Sequence, residues 1–248
     1  MTEANVIQLT PQLTEPLAGG NHLLAGLAPD DFALLSPHMR ETFLERGTLL
    51  QEPGRMIGRV YFPHGGLISL TGNGVVEHAI DTASIGCEGA VGLMAGLGSQ
   101  IALSAAVVQL PGRAVFIAPE RFAEAATESA PLRQMIVRYN DMLLAQVQQT
   151  LVCNTAHRLE ERLCRWLVQA SDRVGDTLAL TQEHLAGLLG VQRTTVTMIC
   201  RRLQEDGVLN VRRGRIMIRD AAALEAKACD CVRIARRLVE PQPCVVSH

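Results

Sequence analysis

From Leu132 to Leu151, apolar side chains return at three- and four-residue steps: Leu132, Met135, Ile136, Tyr139, Leu143, Val147 and Leu151. That spacing predicts one long amphipathic helix, with Pro131 tolerated in its first turn. Its stripe suggests a coiled-coil-like seam for a twin chain, or else packs on the chain's own strands. A second amphipathic stretch, Ala156–Val174, offers Leu159, Leu163, Trp166, Leu167 and Ala170 for burial and stops at Gly175. Further on, Thr181 can cap a short helix whose apolar positions are Leu185, Leu188 and Leu189. Gly190 permits the left-handed turn that ends it, and a following helix repeats the pattern at Val196, Ile199 and Leu203. Upstream, from Glu41 to Ile117, the texture is different. Short apolar runs (Thr42–Leu44, Thr48–Gln51, Arg59–Phe62, Gly66–Leu70, Val75–Ile80, Ala105–Leu110, Ala114–Ile117) are divided by turn residues. They predict an antiparallel barrel or sandwich, with a hairpin at Asn73-Gly74. Short helices are expected at Asn21 and Pro29 and another at Pro119. Ile85–Gln100 is glycine-rich without β alternation, and reads either as a short helix and loop packed over the strands or as an anion-cradling loop. It lacks the P-loop lysine and the dinucleotide fingerprint, so nucleoside triphosphate and nicotinamide chemistry are poorly supported.

The polar face of the helix after Gly190 carries Gln192, Arg193, Thr194, Thr195, Thr197 and Arg201. Beyond Asp206-Gly207, Val208–Val211 and Ile216–Ile218 can pair as strands around the basic turn Arg212-Arg213-Gly214-Arg215. Two helices joined at a glycine and followed by a basic hairpin make a winged helix-turn-helix, a shape the DNA major groove admits. Two such helices alone would also suit an ordinary helical domain with a solvated arginine face. Charge separates the readings. Between Val191 and Arg219 seven arginines face Glu205 and Asp206, a net of +5 in a chain whose total is −2. Cationic charge is gathered where a phosphate backbone would lie. Leu178–Leu180 offers a brief strand before this unit, and Asp220 caps a final helix after it.

The composition, 48% hydrophobic and 19% charged, is that of a globular protein. No run approaches the ~20 apolar residues that span a bilayer, and the N-terminus lacks a secretion signal, so a cytoplasmic protein is expected. Seven scattered cysteines do not make a secreted disulfide framework. Cys164 and Cys200 fall on apolar helical positions. Cys229-Asp230-Cys231 has a spacing that fits no common zinc pattern, with no second pair nearby in sequence, so local packing is expected and no metal or cofactor is assigned. A thiol- or metal-responsive role for Cys87 or for Cys229 and Cys231 stands as an alternative. A cupin-like enzymatic barrel, with His64, Glu77 and His78 as ligands, is weakened because adjacent strand residues point to opposite faces. No catalytic constellation stands out, and the chain is not read as an enzyme.

The order of strands, long helix and winged helix, with LTQEHLAGLLGVQRTTVTMICRRLQEDGVL as the best-matched segment, resembles the Crp/Fnr superfamily of bacterial transcription regulators. YFPHGGLIS, GCEGAVGL, VVQLPG and the terminal C-x-C place the likeness in a subgroup. The resemblance implies an α+β fold. An antiparallel β-barrel of the cyclic-nucleotide-binding, jelly-roll kind (21–130) follows a tail (1–20). A dimerisation helix (131–156), a winged helix-turn-helix domain (157–240) and a second tail (241–248) complete the chain. It also implies a homodimer on a palindromic operator, with double-stranded DNA, RNA polymerase and an effector of unknown identity as partners. By position it implies base or phosphate contacts for Arg193, Thr195 and Arg201, a phosphate contact at Thr181 and a wing-tip contact at Arg213. Gln192, Thr194 and Thr197 complete the expected reading face. Thr194 and Met198 replace a glutamate and an arginine of the cAMP receptor pattern, so a different operator is expected. In the sensor, Ala90 stands where cyclic-nucleotide binders place a ribose-binding glutamate. No arginine occurs from Ser99 to Pro111, where they place the phosphate partner. Binding of cAMP or cGMP is therefore not expected.

Overall fold

The computed structural model describes residues 20–72 and 80–239. The expected hairpin at Asn73-Gly74, the run from Val75, the pair Glu77 and His78, and both tails apart from Gly20 lie outside the described residues. At the N-terminal end, Asn21 caps α1 (His22–Ala25) and its amide donates to the carbonyls of Pro63 and Gly89. α2 (Pro29–Leu35) opens on a proline, which costs nothing at a first turn.

The strands of the N-terminal half form two antiparallel sheets, not one continuous barrel, among the described residues. One has the order β1 (Arg40–Leu44), β7 (Gly112–Ile117), β3 (Val60–Pro63). The other runs β2 (Leu49–Gln51), β6 (Ala105–Leu110), β4 (Leu67–Thr71), β5 (Asp81–Ile85). Strand alternation sorts the core. Tyr61 and Ala114 point between the sheets with Ile68, Leu70, Ala83, Ile85, Ala106 and Val108. Val60, Phe62, Val115 and Ile117 point the other way, onto Leu24, Leu35, Phe122, Leu132 and Ile136 of the helices. Phe62 and Phe122 meet edge to face at 5.9 Å. β5 lies outside the apolar runs predicted from the sequence; its only apolar residues, Ala83 and Ile85, alternate with Thr82 and Ser84 and pair with Leu70 and Ile68. Of the two readings of the glycine-rich stretch, the packed loop is the one seen. Its 3-10 turn, Leu93–Leu97, buries Leu93 and Ala95 in the core shared with the helices.

α3 (Pro119–Glu128) leads into α4 (Ala130–Ala156), whose N-cap Ser129 accepts from the Leu132 amide. The stripe read from sequence as a seam for a twin chain is mostly the face turned to the chain's own strands. Leu132, Ile136 and Tyr139 are buried there, with Met135, Leu143 and Val147 packed alongside. A different stripe is exposed, at seven-residue steps: Val137 at 47%, Leu144 at 55% and Leu151 at 65%.

The backbone leaves the helix at His157 and re-enters one at α5 (Leu159–Val174). β8 (Thr177–Leu178), α6 (Gln182–Leu189), α7 (Arg193–Glu205), β9 (Leu209–Arg212) and β10 (Arg215–Ile218) follow. The expected single final helix is two, α8 (Ala221–Lys227), capped by Asp220, and α9 (Cys231–Val239). The C-terminal core of Leu163, Trp166, Leu167, Leu185, Val196, Ile199, Leu203 and Ile216 also takes in Leu67 and Leu110 of the sheet. This is why every residue of β4 is buried: one face looks into the sandwich and the other onto α5. Between the two halves, Glu88 and Arg173 form an ion pair at 2.7 Å, with 6% and 9% of their side chains exposed. The Trp166 indole donates to the Asp81 carboxylate at 2.9 Å. No helix among the described residues is long and apolar enough to cross a membrane.

Candidate nucleic-acid interface

The Thr181 hydroxyl accepts from the His184 amide and also meets the His184 Nδ1 at 2.7 Å, which fixes the N-terminus of α6. At the other end Gly190 has φ +66, and its amide closes on the Ala186 and Gly187 carbonyls. The left-handed backbone favours glycine, and a Cβ there would also press on the Ile80 side chain at 2.9 Å. The turn sets α7 across α6.

α7 buries Val196, Ile199, Cys200 and Leu203. Its opposite side carries Arg193, Thr194, Thr197, Met198 and Arg201, all exposed, with Gln192 exposed at the N-cap and Thr195 half-buried at the margin. Two members are positioned by neighbours: Thr197 donates to Gln182 at 2.8 Å, and Arg193 lies 3.4 Å from Glu183. Arg201 pairs with Glu205 at 2.9 Å along the helix. These ion pairs are solvent-exposed and worth little, so the guanidiniums can exchange them for phosphate or base edges. Arg202, by contrast, turns away to Glu160 of α5. β9 and β10 pair with Arg212 opposite Arg215, leaving Arg213-Gly214 as a two-residue loop. Gly214 supplies the positive φ the turn needs, and Arg213 is exposed beside it. β8 adds a third strand through Leu178 and Ile216.

In the N-terminal half, Gly89 allows Tyr139 of α4 to approach closely, since a Cβ on it would meet the Tyr139 hydroxyl at 2.2 Å. Ala90 and Val91 beside it are buried in the apolar cores. The loop that would cradle a cyclic nucleotide thus holds methyl and isopropyl groups under a tyrosine. Its carboxylate, Glu88, is spent on Arg173. Opposite, Ala102 is buried, while Leu103 faces outward. His64 is half-buried, and burial lowers its pKa from the ordinary imidazole value. The other two ligands considered for an enzymatic barrel lie outside the described residues.

The cysteines depart most from the sequence reading. Cys229 and Cys231 do have a second pair beside them: Cys153 in the last turn of α4 and His157 at its C-cap, four residues on. The ligand atoms of all four lie within 4.8 Å of one another. Cys153 Sγ is 3.5 Å from Cys229 Sγ, and Cys231 Sγ is 3.5 Å from His157 Nδ1. Burial raises the Cys153 thiol above its ordinary value and pushes Cys229 up to about 12. The available signal was a Cys-x₃-His on a helix together with a distant Cys-x-Cys; neither is a zinc motif alone. Cys164 and Cys200 are buried in the C-terminal core.

The model of the Crp-like helix-turn-helix domain matches residues 161–227. Solved structures share the fold across both halves of the chain. FixK2 from Bradyrhizobium japonicum superposes with a TM-score of 0.65 at 14% identity, covering 77% of this chain and 98% of that one. The c-di-GMP responsive global regulator CLP of Xanthomonas campestris gives 0.63 at 17% identity, covering 78% and 100%. A Crp/Fnr-family transcriptional regulator from Thermus thermophilus gives 0.62 at 20% identity, covering 76% and 98%. No curated protein sequence matches the chain. Residues 161–227 are thus similar to the Crp-like helix-turn-helix domain, and the chain shares the fold of solved Crp/Fnr-family regulators.

Proposed function

We propose that the chain is a dimeric, sequence-specific transcription regulator, not an enzyme, that reads a two-fold-symmetric operator through α7. The observation that carries this is the uncovered face of Arg193, Thr194, Thr197 and Arg201 on a helix braced from behind, with the basic Arg213 loop beside it. Arg193, in the first turn, is suited to bidentate contact with guanine; Thr181 and Arg213 are suited to phosphate. The second copy joins along Val137, Leu144 and Leu151, whose heptad spacing is that of a two-stranded coiled coil. Parallel pairing of α4 puts both C-terminal domains at one end, as two half-sites require. On DNA the dimer would meet RNA polymerase in the cytoplasm. The signal entering the sandwich is of a class other than cyclic nucleotides, given the apolar filling around Ala90.

The test is selection of genomic fragments by the purified protein followed by sequencing. The expected result is one dyad-symmetric motif with half-sites about one helical turn apart. Enrichment without a shared motif would overturn sequence-specific reading. Enrichment of a single unrepeated half-site would overturn the dimer.

A further inference from the structure

His157 stands at the joint where α4 stops and α5 begins, and its amide still closes on the Cys153 carbonyl. Cys153 is buried on the α4 turn just before it, on the same helix face at an i, i+4 step. The break between α8 and α9 brings in the other two residues. Cys229 sits in the connecting turn and Cys231 is the first residue of α9; both are buried. The resulting donor set is three sulfurs and one imidazole nitrogen, all within 4.8 Å of one another. Thiolates at about 2.3 Å from a tetrahedral zinc ion would be roughly 3.8 Å apart, so only small side-chain adjustments separate this cluster from a closed site.

Three buried cysteines could simply be small apolar fillers. Their surroundings argue otherwise. Arg165 on α5 is 5% exposed, and its Nε has no hydrogen-bond partner; the Nε of Arg162, one position before the buried run Leu163–Ala170, is likewise buried and unpartnered. Both guanidiniums interact electrostatically with Cys153. Gln149, one turn before Cys153, donates to Cys231 Sγ at 3.1 Å. Arg165 also interacts with the buried Asp81, but three neutral thiols supply no negative charge to the two guanidiniums at the cluster itself. Three thiolates on a divalent cation carry a net charge of −1, and the same guanidiniums and the Gln149 amide then become its complement.

We propose that Cys153, His157, Cys229 and Cys231 form a tetrahedral site for a soft divalent cation of the zinc class, pinning α9 to the end of α4 and setting the α4–α5 joint. On binding, each thiol gives its proton to solvent and His157 binds as neutral imidazole through Nδ1; no electron is transferred. Coordination ties the end of α4 to the domain that holds α7 — a mechanical link whose consequence for DNA rests on the function proposed above, whereas the binding itself does not.

The full chain, purified under reducing conditions, is analysed for metal content, then stripped with a chelator and titrated with Co(II) alone. One ion per chain is expected, with the thiolate charge-transfer and intense visible bands of tetrahedral cobalt, bleached by added Zn(II). Cys153→Ser and Cys231→Ser should lose stoichiometric binding, Cys87→Ser should keep it, and Gln149→Ala should weaken it about 10- to 100-fold. A folded, reduced wild-type chain that takes up neither ion would overturn the site. So would a Cys153–Cys229 disulfide in protein prepared without reductant, if the reduced form binds no metal. DNA affinity is then compared for loaded and stripped protein. Equal affinities would overturn the coupling while the cobalt spectrum stands; no DNA binding in either form would overturn the regulator reading and leave the site intact.

Discussion

At the scale of single residues, the proposed function assigns base reading to Arg193 and phosphate contact to Arg213. Arg193→Ala should cost about 1–3 kcal/mol on the selected operator and relax the choice of base at one position per half-site. Arg213→Ala should weaken all DNA evenly and reduce the salt slope by about one. Fluorescence anisotropy on matched and mutated duplexes across a salt series checks both; identical behaviour of the two variants would remove the distinction. Asp81 makes a prediction of another kind. Burial pushes its carboxyl above the usual carboxylate range, against the opposing hydrogen bonds from Ser84 and Trp166. An acid raised in the folded state binds more protons there than in the unfolded chain, so stability falls as pH rises from the unfolded value through the folded one. Asp81→Asn should flatten that fall in thermal melts run from acid to neutral pH. A slope left unchanged would mean that another group titrates.

Among the elements, α4 shows how one helix carries two apolar stripes with different destinations. The three- and four-residue recurrence from Leu132 to Val147 was legible because it is dense. It is dense because that face packs on the strands and on Phe122. The sparser stripe of Val137, Leu144 and Leu151 stands out only once the first is known to be covered. The pair Leu143 and Leu144 therefore gives a discriminating test. Leu144→Arg should leave the melting temperature near that of the parent and shift the mass by light scattering from dimer towards monomer. Leu143→Arg should lower the melting temperature by forcing a charge against the chain's own core. A dimer that survives Leu144→Arg would place the seam elsewhere. The helix-turn-helix is the opposite case. Its capping threonine, its left-handed glycine and the spacing of Leu185, Leu188, Val196, Ile199 and Leu203 are local, and the sequence shows them directly.

Over the whole molecule, the sandwich and the C-terminal domain are joined by a shared core at Leu67 and Leu110 and by polar contacts converging on α5. Of these, Glu88 with Arg173 is the most buried ion pair among the described residues. Its value lies less in the attraction than in the penalty for breaking it, since the desolvated partner is left behind. Glu88→Ala should cost about 3–5 kcal/mol in denaturant unfolding, and adding Arg173→Met should recover a substantial part of that loss. Additive losses would show that the two side chains do not act as a pair. The glycine-rich loop that bears Glu88 is thus engaged in docking α5 and the C-terminal domain against the N-terminal sheets.

The winged helix-turn-helix, the long helix and the run of short strands were all determined by sequence alone, because each rests on periodicity, caps and turn residues within a few positions of one another. Three features waited for the tertiary structure. Which α4 stripe is covered depends on where the strands stack. The pairing of β5 depends on β4, since two alternating apolar residues, Ala83 and Ile85, are too few to mark a strand until Leu70 and Ile68 lie opposite them. The meeting of Cys153 and His157 with Cys229 and Cys231 depends on the break before α9 folding back onto the end of α4, 76 residues away at the Cys153–Cys229 contact. Local rules of helix and turn carry no information over that distance; packing of the C-terminal core does.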